Sequence, residues 1–168
     1  MKKVLCAILA LALLVCFSAC QTDAPSAENP TPQEPLTDRY LREIQDTYDA
    51  QMAKEENQST AQMVQITQQY TQTWSDVAQE YYEKLMGFSG ELSSRETLQS
   101  VEDLRAYVET QKQTFDADYL SKSDAYLQSL QESYGGGSII GLSMSVFQYD
   151  LQKNWALSLL QLYDTYCQ

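Results

Sequence analysis

Residues 59–87, STAQMVQITQQYTQTWSDVAQEYYEKLMG, decide the fold. Met63, Ile66, Tyr70, Trp74, Val77, Tyr81 and Leu85 recur at intervals of three and four. On a helix of about 3.6 residues per turn that spacing gathers them into one apolar stripe. Ser59 with Gln62 has the form of a capping box, and Gly87 and Gly90 supply the stop. A stripe of this length needs partners, and the rest of the chain supplies them in the same period.

Upstream, Asp38 is expected to cap a helix carrying Tyr40, Leu41, Ile44, Tyr48 and Met52. Downstream, Ser93 with Glu96, and Leu92 as a staple, predict the start of a third helix bearing Val101, Leu104, Val108, Phe115 and Tyr119. A break is expected near Ser121-Lys122-Ser123, with helix resuming through Tyr126 and Leu130 to Tyr134. Gly135-Gly136-Gly137 ends it, since each glycine costs about 1 kcal/mol of helix preference against alanine. Ser138 is then expected to cap a last helix with Ile140, Met144, Phe147, Leu151, Trp155, Leu159, Leu162 and Tyr166. No alternating β-branched run is present. The pattern predicts an all-α fold, a compact antiparallel bundle of four to five helices. The 12 tyrosines fall on or beside the stripes, where a ring can be buried with its hydroxyl still wet.

The N-terminus has a different character. Met1-Lys2-Lys3 is followed by an unbroken apolar run from Val4 to Phe17, then Ser18-Ala19-Cys20. The run is shorter than the roughly 20 residues a spanning helix needs and has the layout of a secretion signal. Its end resembles a bacterial lipobox, with Phe17 where leucine is usual. The resemblance implies that residues 1–19 are a signal peptide and that Cys20 is acylated. All four prolines lie between Pro25 and Pro35, so residues 20–37 read as an extended linker and 38–168 as the domain. The expected location is extracytoplasmic, anchored to the cell membrane by lipid.

Cleavage would take two lysines and none of the 23 acidic residues, moving the formal charge from −12 to −14. That balance argues against nucleic acid, whose phosphates require Lys and Arg, and favours cationic partners. The absence of histidine removes the usual general base and the commonest metal ligand. Glu55-Glu56, Glu102-Asp103 and Asp116-x-Asp118 are helix neighbours that point apart, so they read as solvated faces. No phosphate loop, EF-hand loop or Ser-x-x-Lys pattern occurs. The expectation is a non-enzyme without metal or cofactor. Cys167 is the one thiol left after Cys6, Cys16 and Cys20 are accounted for, and it reads as a spectator unless exposed enough to pair between molecules.

Thr60-Ala61-Gln62-Met63, the helix ending Tyr81-Tyr82-Glu83-Lys84-Leu85, the segment Leu104 to Gln111, and above all Tyr134-Gly135-Gly136-Gly137-Ser138-Ile139 resemble the LprI-type lysozyme inhibitor domain family. The similarity extends across residues 59–160. Ile66 and Phe147 stand where that family carries cysteines, an exchange of a staple for apolar packing. The resemblance implies a helical envelope protein that binds cationic lysozyme-type muramidases. The loop Tyr134, Gly135, Gly136, Gly137 and Ser138 is the candidate contact, because glycine permits close backbone approach. An alternative is a structural or assembly lipoprotein acting through helical faces. A third reading is a carrier with a closed aromatic pocket. Replacing Cys20 with alanine should abolish palmitate incorporation and release the protein from membranes, as read by fractionation of labelled cells.

Overall fold

A computed structural model describes residues 34–168. Four helices make up this part. The first, α1, runs on through three consecutive stretches, Leu36–Tyr40, Leu41–Gln45 and Asp46–Met52; α2 is Thr60–Gly87, α3 is Val101–Tyr134 and α4 is Ser138–Tyr166. Among the described residues there is no strand, and the fold is all-α as the periodicity predicts. No helix here is long and apolar enough to cross a membrane.

The buried face of α1 is Leu36, Ile44 and Tyr48, with Tyr40 half-buried between them. These positions are four apart, and in a regular α-helix each four-residue step overshoots one turn by about 40°. The middle stretch, Leu41–Gln45, is a π-helical turn. Its wider winding takes up that drift and keeps the four side chains on one line. The helix also begins earlier than the sequence suggests. Pro35 precedes it, Leu36 is buried, and the Leu36 amide donates to Asp164 Oδ2 at 2.7 Å. Asp38 therefore lies in the first turn rather than at the cap, and Leu36 and Thr37 belong to the helix rather than to the linker.

Successive helices run antiparallel, which leaves α2 and α4 parallel. Trp74 Nε1 donates to the Tyr149 hydroxyl at 3.4 Å, and farther along the same pair Tyr81 meets Tyr163 edge-on at 5.3 Å. This parallel pair forms the most extensive interface, with α1 against one side and α3 against the other. Consequently α4 is buried on two faces. Ser145, Tyr149, Ala156 and Leu160 are buried on it as well as Trp155, Leu159 and Tyr166. Trp155 of the predicted stripe stacks on Phe115 of α3 at 5.1 Å, and Phe147 stacks on Tyr126 at 4.4 Å. Tyr149 instead turns to α1, stacked on Tyr48 at 4.5 Å.

Three local expectations are corrected. The third helix starts at Val101, not after Ser93. Ser100 Oγ accepts from the Asp103 amide at 3.1 Å while Asp103 Oδ2 accepts from the Gln99 amide at 3.3 Å. That reciprocal cap wins because the preceding segment crosses the end of the bundle: Leu92 is buried and the Ser93 amide donates to the Tyr166 carbonyl at 3.0 Å. There is no break at Ser121–Ser123. An Asp118–Lys122 ion pair of 2.8 Å spans the site, and serine costs a helix less than glycine does. Finally, Ser138 is the first residue of α4 and makes no capping bond; Gly137 holds the cap position. The Ser59 cap is present as predicted, accepting from the Gln62 amide at 3.3 Å.

Leu159 is fully buried, whereas Leu120 is 68 % exposed. Leu159→Ala should lower unfolding free energy by about 2–5 kcal/mol. Leu120→Ala should change it by less than about 0.5 kcal/mol. Urea denaturation of both variants checks the pair, and equal losses would contradict this packing.

Candidate functional site

The glycine loop joins α3 to α4. Gly135, Gly136 and Gly137 have φ of +67°, +145° and +106°, and nothing lies within 4 Å of where a Cβ would sit on any of them. Their requirement is therefore conformational rather than spatial. Gly135 is the left-handed C-cap of α3, its amide donating to the Gln131 carbonyl at 2.9 Å. The flanking Tyr134 and Ile139 are 60 % and 48 % exposed. The structure thus brings the predicted loop residues together as an accessible tip with an aromatic ring on one side and an aliphatic chain on the other. Cys20, the expected lipidation point, lies outside the described residues.

The tip stands at the N-terminal end of α4, whereas the Leu36 amide is tied to Asp164 near its C-terminal end. At about 1.5 Å per residue, the 29 residues of α4 separate the two ends by about 43 Å. The chain therefore comes into the domain at one pole and makes its glycine turn at the other.

Several polar groups inside the bundle are matched, while Arg105 Nε and Ser123 Oγ are buried without a partner. The Tyr149 hydroxyl donates to Gln45 Oε1 at 2.8 Å, and Lys153 Nζ donates to the same oxygen at 3.3 Å. Tyr48 and Thr67 share a hydroxyl–hydroxyl bond of 3.2 Å. Gln45 closes the π-turn of α1, so that turn also aims an amide oxygen at α4. Burial pushes the Tyr149 phenol up to about 12. The Tyr82 hydroxyl donates to Glu109 at 2.6 Å, and that bond, with one from Gln113, holds the Glu109 carboxyl below its ordinary range.

Of the carboxylate pairs noted in the sequence, Asp116 and Asp118 are taken up by Lys112 and Lys122 at 2.7 and 2.8 Å. Glu102 and Asp103 lie in the first turn of α3, where they complement the helix dipole. Glu55 and Glu56 form an exposed 3-10 turn. Among the described residues no group of three or more His, Cys, Asp or Glu is placed to hold a metal. Cys167 is half-buried, and burial raises its thiol to about 11, which leaves little thiolate near neutral pH.

A second concave feature lies between α3 and α4, a groove of about 680 Å³ with Phe115 and Trp155 in its wall. The carrier reading required a closed chamber; this groove is open to solvent along the two helices. Sequence reasoning gave no binding role to Gln111, Asn154 and Gln161, which line it. Their spacing carried no signal: Gln111 and Gln161 lack an acid four residues away, but so do Gln65, Gln69 and Gln148, and Asn154 has Asp150 at that distance.

Fold and surface together define the class of molecule: an up-down-up-down four-helix protein with a glycine tip at one pole and a mixed polar and aromatic groove along one side. No protein-family model, no curated protein and no solved structure matches the chain.

The Tyr149 phenol gives a test of the buried network. Its folded value of about 12 exceeds the ordinary 10.0, so between those pH values the folded chain holds a proton that the unfolded chain releases. Stability should be unaffected by this group below pH 10 and should fall as pH rises from 10 towards 12. Urea midpoints across that range measure it, and a flat profile would rule out burial of this hydroxyl.

Proposed function

We propose that this protein is a lipid-tethered binding protein of the cell envelope that acts by contact rather than catalysis. Its target in this reading is a cationic protein of the lysozyme-type muramidase class, met by the tip from Tyr134 to Ser138. The observation that carries the reading is the placement of that tip. The tip lies at the pole of the domain opposite Leu36, and it is there that Tyr134 and Ile139 are exposed. Exposed aromatic and aliphatic side chains beside free backbone suit insertion into a cleft.

Two further features support it. The formal charge of −12, or −14 without the leader, would speed encounter with a cationic enzyme. The similarity of residues 134–139 to the LprI-type inhibitor turn falls at this same tip. The reading as an assembly lipoprotein draws on a different surface, the exposed Leu120 beside Phe115 and Tyr119 on α3. Light scattering that finds a concentration-dependent oligomer would favour it.

The test is lysozyme turnover of cell walls in the presence of the purified protein. Micromolar protein should slow turnover at low salt, and the effect should weaken as ionic strength passes about 0.15 M. Tyr134→Ala should weaken inhibition by about tenfold or more, the loss expected of an aromatic anchor. Undiminished turnover at micromolar excess would remove the proposal.

A further inference from the structure

The groove between α3 and α4 extends along both helices. It runs from Tyr107 to Lys122 on one helix and from Leu151 to Tyr166 on the other. Each span is 16 residues, or about 22 Å at helical rise. Its volume of about 680 Å³ falls in the range of small-molecule sites, which runs from about 300 to 1,000 Å³.

Its chemistry is uncharged, polar and aromatic. The two charged residues in the lining, Asp118 and Lys122, neutralise one another at 2.8 Å. The amides of Gln111, Asn154 and Gln161 and the hydroxyls of Tyr107, Tyr119 and Tyr166 make no hydrogen bond to another group among the described residues. Tyr166 is itself largely buried, and its hydroxyl is not among the fully buried atoms that lack a partner, which are Arg105 Nε and Ser123 Oγ, so it keeps contact with solvent. The hydroxyls of Ser158 and Thr165 donate to backbone carbonyls at 2.9 and 2.8 Å, leaving lone pairs to accept. Between these groups lie the Phe115–Trp155 stack and the ring of Tyr107, which is 42 % exposed.

Each candidate occupant makes a different demand on such a lining. A partner helix calls for a continuous apolar stripe, and here amides and hydroxyls interrupt it. An ionic ligand calls for unpaired charge, and the one ion pair is internal. A sugar chain has hydroxyls that both donate and accept around its rim and apolar C–H faces that lie on aromatic rings. Three amides and three phenols, all able to donate and accept, match that rim.

We propose that the α3–α4 groove is a binding site for a neutral oligosaccharide of about three or four pyranose units, the number its length and volume accommodate. Gln111, Asn154 and Gln161 bond the hydroxyls, and the exposed ring of Tyr107 carries a sugar face beside the edges of the Phe115–Trp155 stack. The site is on the flank of the domain and is independent of the glycine tip.

The experiment titrates the full chain with cellotriose, maltotriose and chitotriose by calorimetry, with tryptophan fluorescence as a second readout. Trp155 lines the groove while Trp74 is fully buried, so a fluorescence change reports the groove. At least one trisaccharide should bind saturably with a Kd of about millimolar or tighter. The double variant Gln111→Ala, Gln161→Ala should weaken it by about tenfold or more, with an unchanged helical circular dichroism spectrum. Tyr134→Ala should leave it unaltered, which separates this site from the tip. The proposal is overturned if none of the three sugars binds up to about 10 mM. It is equally overturned if the double variant binds as well as the parent, or if a cationic amphipathic helical peptide occupies the groove and the sugars do not.

Discussion

The contact between α2 and α4 organises everything else in the domain. The two helices run parallel, with Trp74 and Tyr149 joined by a hydrogen bond and Leu85, Leu159 and Leu160 excluded from water. Parallel neighbours cannot be joined by a short turn, so the chain must place a full antiparallel helix between them. That helix is α3. Its length lets it return from the far end of α2 to the start of α4, and the glycine turn at its end follows from that geometry. The remaining side of the pair is closed by α1, which the π-turn keeps in line and which Asp164 fastens at its beginning.

The two surface features follow from this arrangement. Because α2 and α4 absorb most of the available apolar surface from each other, α3 has few buried side chains: Leu104, Val108, Ser123 and Leu130 over 34 residues. It stands off α4 on aromatic spacers, Phe115 on Trp155 and Tyr126 on Phe147, and a groove opens alongside them. Side chains that would be packed in a tighter bundle are left with hydrogen-bonding capacity there. The tip is exposed for a related reason. Three consecutive positive φ angles bring the chain round with no side chain to fold back over it, so Tyr134 and Ile139 remain uncovered.

Some of this was legible from residue spacing. The α2 stripe, the Ser59 cap and the glycine stop are local, and each was readable because a helix brings residues three and four apart together whatever its surroundings. The turn at Tyr134 to Ser138 was legible for another local reason, since three consecutive glycines stop a helix. Other features depended on which neighbour arrived. The second buried face of α4, Ser145, Tyr149, Ala156 and Leu160, is masked in sequence by the stronger Trp155–Leu159 stripe. Ser93 and Ser100 both have capping form, and only the path across the end of the bundle, with Leu92 inserted, chooses Ser100. Gln111 lies more than 40 residues from Asn154 and Gln161 and on a different helix, so nothing local marks the three as sharing a groove.

The sequence alone determined an all-α chain, its acidic balance, its helix-breaking glycines and the residues able to face inward, because propensity, charge and 3.6-residue periodicity are properties of short segments. Tertiary structure decided that α2 and α4 are parallel partners, that α1 begins at Leu36 against Asp164, and that α3 stands away far enough to leave a lined cleft. Those outcomes depend on competition among several apolar faces for the same neighbour. Burial of one pair removes the surface that another pair would have used.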